Sequence, residues 1–140
     1  MKESLLTVEK KSEIASLARK YGITLFVLFG SQATGRTHAQ SDADFAFVSK
    51  HALSPHEIAH YAFDLSAVAH FSHIELTDIH DAPPLLLKQV AVTGILLYEA
   101  EPSVYALFRI YAIKRYMEAQ KLLSLRVASL NAFLQHAHHP

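Results

Sequence analysis

Two short apolar runs, Leu25 to Phe29 and Phe45 to Val48, bracket a polar stretch that opens on Gly30-Ser31 and closes on Asp42-Ala43-Asp44. No other segment so limits what the chain can fold into. Both runs are too short for helices and rich in aromatic and branched side chains, so they read as buried strands. Residues two apart on a strand project to the same side, which makes Asp42 and Asp44 one paired-carboxylate face. Like charges placed in this way repel and require a counter-charge. A divalent cation such as Mg²⁺ supplies it, typically taking one or two carboxylates together with phosphate oxygens. Gly30 permits a positive φ or a close backbone approach where the first strand ends. Successive turn amides there, with the Ser31 hydroxyl, form a cradle for a triphosphate. The plainer reading is a tight turn and a strand cap carrying two solvated acids.

Gly-Ser, ten residues, then Asp-x-Asp, each motif at the end of its own apolar run, resembles the signature of polymerase-β-type nucleotidyltransferases. The wording Gly30-Ser31-Gln32-Ala33-Thr34-Gly35 is similar to that of the minimal nucleotidyltransferases, the MNT family. The resemblance implies an α/β (α+β) fold: a small mixed sheet of about four strands flanked by helices, with a long C-terminal helix. It assigns Asp42 and Asp44 to catalysis and metal binding, and Gly30, Ser31 and Ser41 to the nucleotide. Two-metal phosphoryl-transfer sites commonly add a third carboxylate, which bridges the metals or takes the proton of the attacking hydroxyl. On the expected strand His73 to Ile79, Ile74 and Leu76 point one way while His73, Glu75 and Thr77 point the other. Glu75 matches the family's catalytic acid in an apolar-acid-apolar-apolar-acid strand, with glutamate where the family has aspartate. Asp78 takes the second acid slot, falls on the other face and reads as structural.

At 140 residues, half of them hydrophobic and with formal charge balanced, the chain is expected to form one domain, 1–140, with a core of its own. The balance gives no general affinity for nucleic acid. The chain has no cysteine, so no disulfide framework and no thiol nucleophile. Neither a signal-peptide core nor an apolar run of membrane-spanning length is evident, so the protein is expected to stay in the cytoplasm. Charge is asymmetric, however: between 103 and 135 stand Arg109, Lys114, Arg115, Lys121 and Arg126 against Glu118 alone. That makes the C-terminal segment a candidate contact surface.

Residues 4–21 read as a helix that Gly22 stops. Arg36 and His38, in the polar loop, either touch a nucleotide or are solvated. Ser54-Pro55-His56-Glu57 is a capping box with proline at the first helical position. Within that helix His56 and His60 stand one turn apart and are able to bind metal, yet no third ligand is evident, so they read as exposed helix histidines. Asp81 is the expected N-cap of a helix ending at Gly94, and Ile95 to Tyr98 a brief fourth strand. The core thus covers about 22–100, followed by a helix over about 103–135. Leu107, Phe108, Ile110 and Tyr111 on it span too wide an arc to face one sheet, which points to a protein contact. A helix buried in its own fold is the alternative. The histidine-rich tail receives no function.

The resemblance carries a functional expectation: an Mg²⁺-dependent enzyme that transfers AMP from ATP to a hydroxyl, on a tyrosine, of a cognate HEPN ribonuclease toxin and so acts as its antitoxin. The chain has little room for gripping an acceptor unaided, which must come with a partner. Two alternatives stand beside this one. The first is adenylylation of an aminoglycoside-like small molecule, whose enzymes usually carry a further helical domain. The second is a non-enzymatic neutraliser that keeps the fold and blocks the toxin by binding alone. Separately, the C-terminal helix is a candidate for forming a homo- or hetero-oligomer. Neither direct nucleic-acid contact nor a membrane enters any of these readings.

Overall fold

The computed structural model describes residues 7–30, 33 and 42–138. Helix α1 (Val8–Lys20) starts at Thr7, whose hydroxyl accepts from the Lys10 amide, and ends in a left-handed Gly22. Its expected first turn, from residue 4, lies outside the described residues. Strand β1 (Ile23–Phe29) follows, then β2 (Ala43–Ser49), helix α2 (Pro55–Ala69), β3 (Ile74–Asp78), α3 (Pro84–Thr93), β4 (Ile95–Glu99) and the long α4 (Val104–His138).

The strands form one mixed sheet in the order β3-β2-β1-β4. β1 is antiparallel to both neighbours, while β2 and β3 run parallel. The two central strands are apolar nearly throughout because both their faces are covered. Phe26, Phe45 and Phe47 pack with Ile14, Tyr61 and Leu65 beneath α1 and α2. Leu25, Val27, Phe29 and Ala46 pack with Leu87, Val90 and Ala112 beneath α3 and α4. The alternation of a strand thereby sends Asp44, in phase with Ala46, to the α3/α4 side of the sheet.

The capping box of α2 is present as expected: Ser54 Oγ accepts from the Glu57 amide and Glu57 Oε1 from the Ser54 amide, each at 3.1 Å. Asp81, in contrast, does not cap α3. Pro83 is the N-cap and provides no side-chain bond. The cause is local: proline pushes the residue before it into extended backbone, so Pro84 can only be the first helical residue and Pro83 the extended one.

At the other end of α3 the carbonyls are taken up by α4. Tyr105 Oη donates to Val90 O and Arg109 Nε to Ala91 O, both at 3.1 Å. The start of α4 is held by Glu99, whose Oε2 accepts from the Tyr105 amide at 2.9 Å, a carboxylate on the positive end of the helix. Only the first turns of α4 meet the sheet. Tyr105 and Phe108 stack at 6.2 Å and join the core with Ala112. Phe108 is therefore half-buried against the core, unlike the more exposed apolar neighbours that the sequence groups it with. Leu107 and Ile110 remain 66% and 67% exposed, as does much of Tyr111. Beyond Lys121 every described side chain is exposed, so α4 leaves the body of the protein as an uncovered apolar rod. Among the described residues, no helix is long and apolar enough to cross a membrane.

Candidate active site

Three strand ends meet at one corner of the sheet. β1 leaves it at Phe29, and β2 and β3 enter it, because β2 is antiparallel to β1 and parallel to β3. Asp44 is consequently flanked by Phe29 on one side and Glu75 on the other. Residues directly opposite share a face of the sheet, so Asp44 and Glu75 project together. Asp42, just before the strand, is exposed and in the same phase.

Gly30 closes the corner. It has φ of +76°, and a Cβ built on it lies 2.9 Å from Asp44 Oδ2. Both uses of glycine apply here: a left-handed backbone, and room for the carboxylate to approach the chain.

The electrostatics follow from the crowding. Asp44 is half-buried, and its carboxyl is held above the ordinary carboxylate value by burial first, then by the Glu75 charge and a hydrogen bond with Glu75, then by Asp42. His73 opposes the shift. Two carboxyl groups this close favour one shared proton. His73 also presents its carbonyl to the Ala43 amide at 3.1 Å, tying the entry of β3 to that of β2. Its place on the Glu75 side was readable from strand alternation, but its nearness to Asp44 depends on the register of two strands far apart in sequence.

Asp78 lies elsewhere. It pairs in register with Phe47, and its Oδ1 accepts from the His80 amide at 2.9 Å, stabilising the turn after β3. Ser31, Ser41, Arg36 and His38 fall outside the described residues.

The donor chemistry of the corner suits a hard divalent cation, which prefers carboxylate oxygen. Asp44 and Glu75 share one face of the sheet in register, and a cation beside them would relieve the repulsion that raises Asp44. Among the described residues no three acidic or histidine side chains are drawn together tightly enough to hold a metal. Asp42 acts on Asp44 through charge. A groove of about 800 Å³ lies away from this corner, between α3 and α4, lined by Val92, Ala106, Ile110, Ile113 and Met117.

The family described as Polymerase beta, Nucleotidyltransferase matches residues 12–103. That span holds the whole sheet and stops where α4 begins. No curated protein matches the chain. Among solved structures, a toxin–antitoxin structure with AMP-PNP is similar at 26% identity and a TM-score of 0.68, over 89% of this chain and 98% of that one. A mutant of the MntA–HpeT toxin–antitoxin pair matches at 26% identity and 0.66, over 89% and 97%. The MNT antitoxin in complex with tri-AMPylated HEPN toxin from Shewanella oneidensis matches in fold at 24% identity and 0.62, over 89% and 95%.

Proposed function

We propose that this chain, which belongs to the polymerase β nucleotidyltransferase family, transfers AMP from ATP to a hydroxyl on a helical HEPN-type toxin and thereby silences it. The observation that carries the reading is the in-register pair of Asp44 and Glu75, with Asp42 beside them and the Gly30 turn against Asp44 Oδ2. The relative with AMP-PNP bound supports an adenine nucleotide, and the fold neighbour complexed with tri-AMPylated toxin supports AMP as the group moved.

In the reaction the acceptor oxygen forms a bond to the α-phosphorus of ATP, and the bond from that phosphorus to the bridging oxygen breaks. Pyrophosphate leaves with the electron pair. Glu75, exposed at the mouth of the corner, takes the hydroxyl proton. Asp42 and Asp44 would hold Mg²⁺ with Glu75, and that ion supplies charge neutralisation for the triphosphate. Gly30 lets backbone amides reach the phosphates, and Ser31 and Ser41 add hydroxyl contacts. Positioning and charge carry most of such a rate, so a small single domain suffices.

The uncovered face of α4 docks the toxin. A contiguous apolar surface such as Leu107, Ile110 and Tyr111, continued along the projecting half of the helix, marks a protein contact. Both partners would meet in the cytoplasm.

The test is incubation with labelled ATP, Mg²⁺ and a HEPN-type protein encoded beside this chain, where one is found, followed by intact mass. One or more AMP additions on the partner are expected, and none with Asp44→Asn. Toxin neutralised with no mass change would establish inhibition by binding alone.

A further inference from the structure

We propose that His56 and His60 form a two-point chelating site for a divalent transition-metal ion of the zinc or nickel class, on the outer face of α2 and apart from the carboxylate corner. The two residues stand one turn apart on the helix, the spacing at which side chains become neighbours. Their Nε2 atoms point at each other across 3.1 Å, with the rings at 78° and centroids 4.5 Å apart. Two nitrogens bound at about 2.0–2.1 Å to a tetrahedral ion stand about 3.3 Å from each other. Closing the chelate therefore changes the separation by only a few tenths of an ångström and turns the exposed rings so that both lone pairs converge on the ion.

Ligand chemistry selects the ion. Without metal, one ring must donate its N–H to the lone pair of the other, and with metal both lone pairs face the ion. Neutral imidazole suits zinc, copper and nickel, whereas magnesium and calcium prefer oxygen. The two sites of this chain would thus sort ions by hardness.

The surroundings are prepared as well. The capping box of Ser54 and Glu57 fixes the backbone of the turn that carries His56. His56, His60, Phe63 and Asp64 line one shallow concavity. The two hydrogen bonds that Asp64 accepts, from Tyr21 and Lys20, both end on Oδ2, which keeps its negative charge in place beside the imidazoles. The positive end of the α2 dipole opposes a cation here, and Lys20 already pairs with Asp64; Glu57 in the first turn offsets the dipole.

The test uses the full chain with His136→Ala, His138→Ala and His139→Ala, so that the tail does not compete. Zn²⁺ is titrated by calorimetry in excess Mg²⁺, and histidine ring nitrogens are followed by NMR. A single ion per chain is expected, with the Nε2 signals of His56 and His60 shifted. Loss of one arm of a chelate should weaken binding on the order of a hundredfold in His56→Ala or His60→Ala. Both residues are exposed, so folding should be unaffected, which circular dichroism checks. Ring signals that do not move, or affinity unchanged in the double variant, would overturn the site.

Discussion

Asp44 on β2 and Glu75 on β3 stand opposite each other in parallel register, and the Glu75 charge helps to hold the half-buried Asp44 carboxyl above the ordinary carboxylate value. Removing either charge should cost chemistry and spare the fold. Glu75→Gln is expected to slow nucleotidyl transfer by about a hundredfold or more. Thermal stability should hold or rise, since a like charge leaves a crowded pair. Asp42→Asn and Asp44→Asn should behave alike. Asp78→Asn, whose amide oxygen still accepts from the His80 amide, should keep most of the activity. Initial rates and melting curves of the four variants check this, and an inactive Asp78→Asn beside an active Glu75→Gln would move the third carboxylate to the other face of the strand.

Gly30 and Gly22 separate two reasons for a glycine. Both have positive φ, +76° and +68°, but a Cβ at Gly22 meets nothing within 4 Å, whereas one at Gly30 meets Asp44 Oδ2 at 2.9 Å. Gly22→Ala should cost about 1–2 kcal/mol for the left-handed backbone alone. Gly30→Ala should cost at least as much and also displace Asp44, so that transfer falls with it. Denaturant unfolding paired with activity measurements distinguishes the two, and equal activity in both variants would remove the close approach from the mechanism.

Much of this corner was legible in the chain. Gly30 and Asp42-Ala43-Asp44 end or begin apolar runs too short to be helices, and alternation alone set Glu75 and Asp78 on opposite faces of β3. The capping box announced α2 because its two bonds are local. What escaped was what depends on distant partners or on the ranking of local signals. His73 comes near Asp44 only through the β2–β3 register. Phe108 packs on the core while Ile110 does not, because the arc of α4 that meets the sheet carries Tyr105, Phe108 and Ala112 and is further tied by the contacts of Glu99 and Arg109. At α3, the expectation of Asp81 as cap gave a side-chain preference priority over the backbone restriction imposed by two prolines.

Tyr21 and Asp64 tie α1 to α2 with a 2.6 Å hydrogen bond. Burial, then the bond to Asp64, pushes the Tyr21 hydroxyl up to about 12. The bond from Tyr21, then that from Lys20, holds Asp64 below the usual carboxylate value. The signs differ. Stability from the raised Tyr21 is present below its unfolded value of about 10 and lost as pH climbs from there toward 12. Stability from the depressed Asp64 is present above its unfolded value of about 3.9 and lost as pH falls through its lower folded value. Tyr21→Phe should therefore be less stable than the parent across the neutral range, with the gap closing at both extremes. Melting temperatures measured against pH in chelator-containing buffer test this; the Tyr21→Phe ring still stacks on Tyr61, so a gap independent of pH would show that the ionisation of Asp64 and Tyr21 does not carry the loss.

The two faces of α4 make opposite predictions. Phe108 is packed with Tyr105 and the Val90 cluster, so Phe108→Ala should destabilise the chain by about 2 kcal/mol or more, below the full cost of a completely buried phenylalanine. Ile110 and Tyr111 lie uncovered. Tyr111→Ala, or Ile110→Ser, should leave the melting temperature within a degree or two, since an exposed position away from caps and core moves stability by about 0.5 kcal/mol at most. If α4 receives the toxin, the same changes should weaken the complex by about 2 kcal/mol where an aromatic sits at the centre of the contact. Light scattering on the chain alone and calorimetry with the partner separate docking from self-association. Full affinity with both residues changed would show that the toxin binds elsewhere and that the apolar length of α4 has another use.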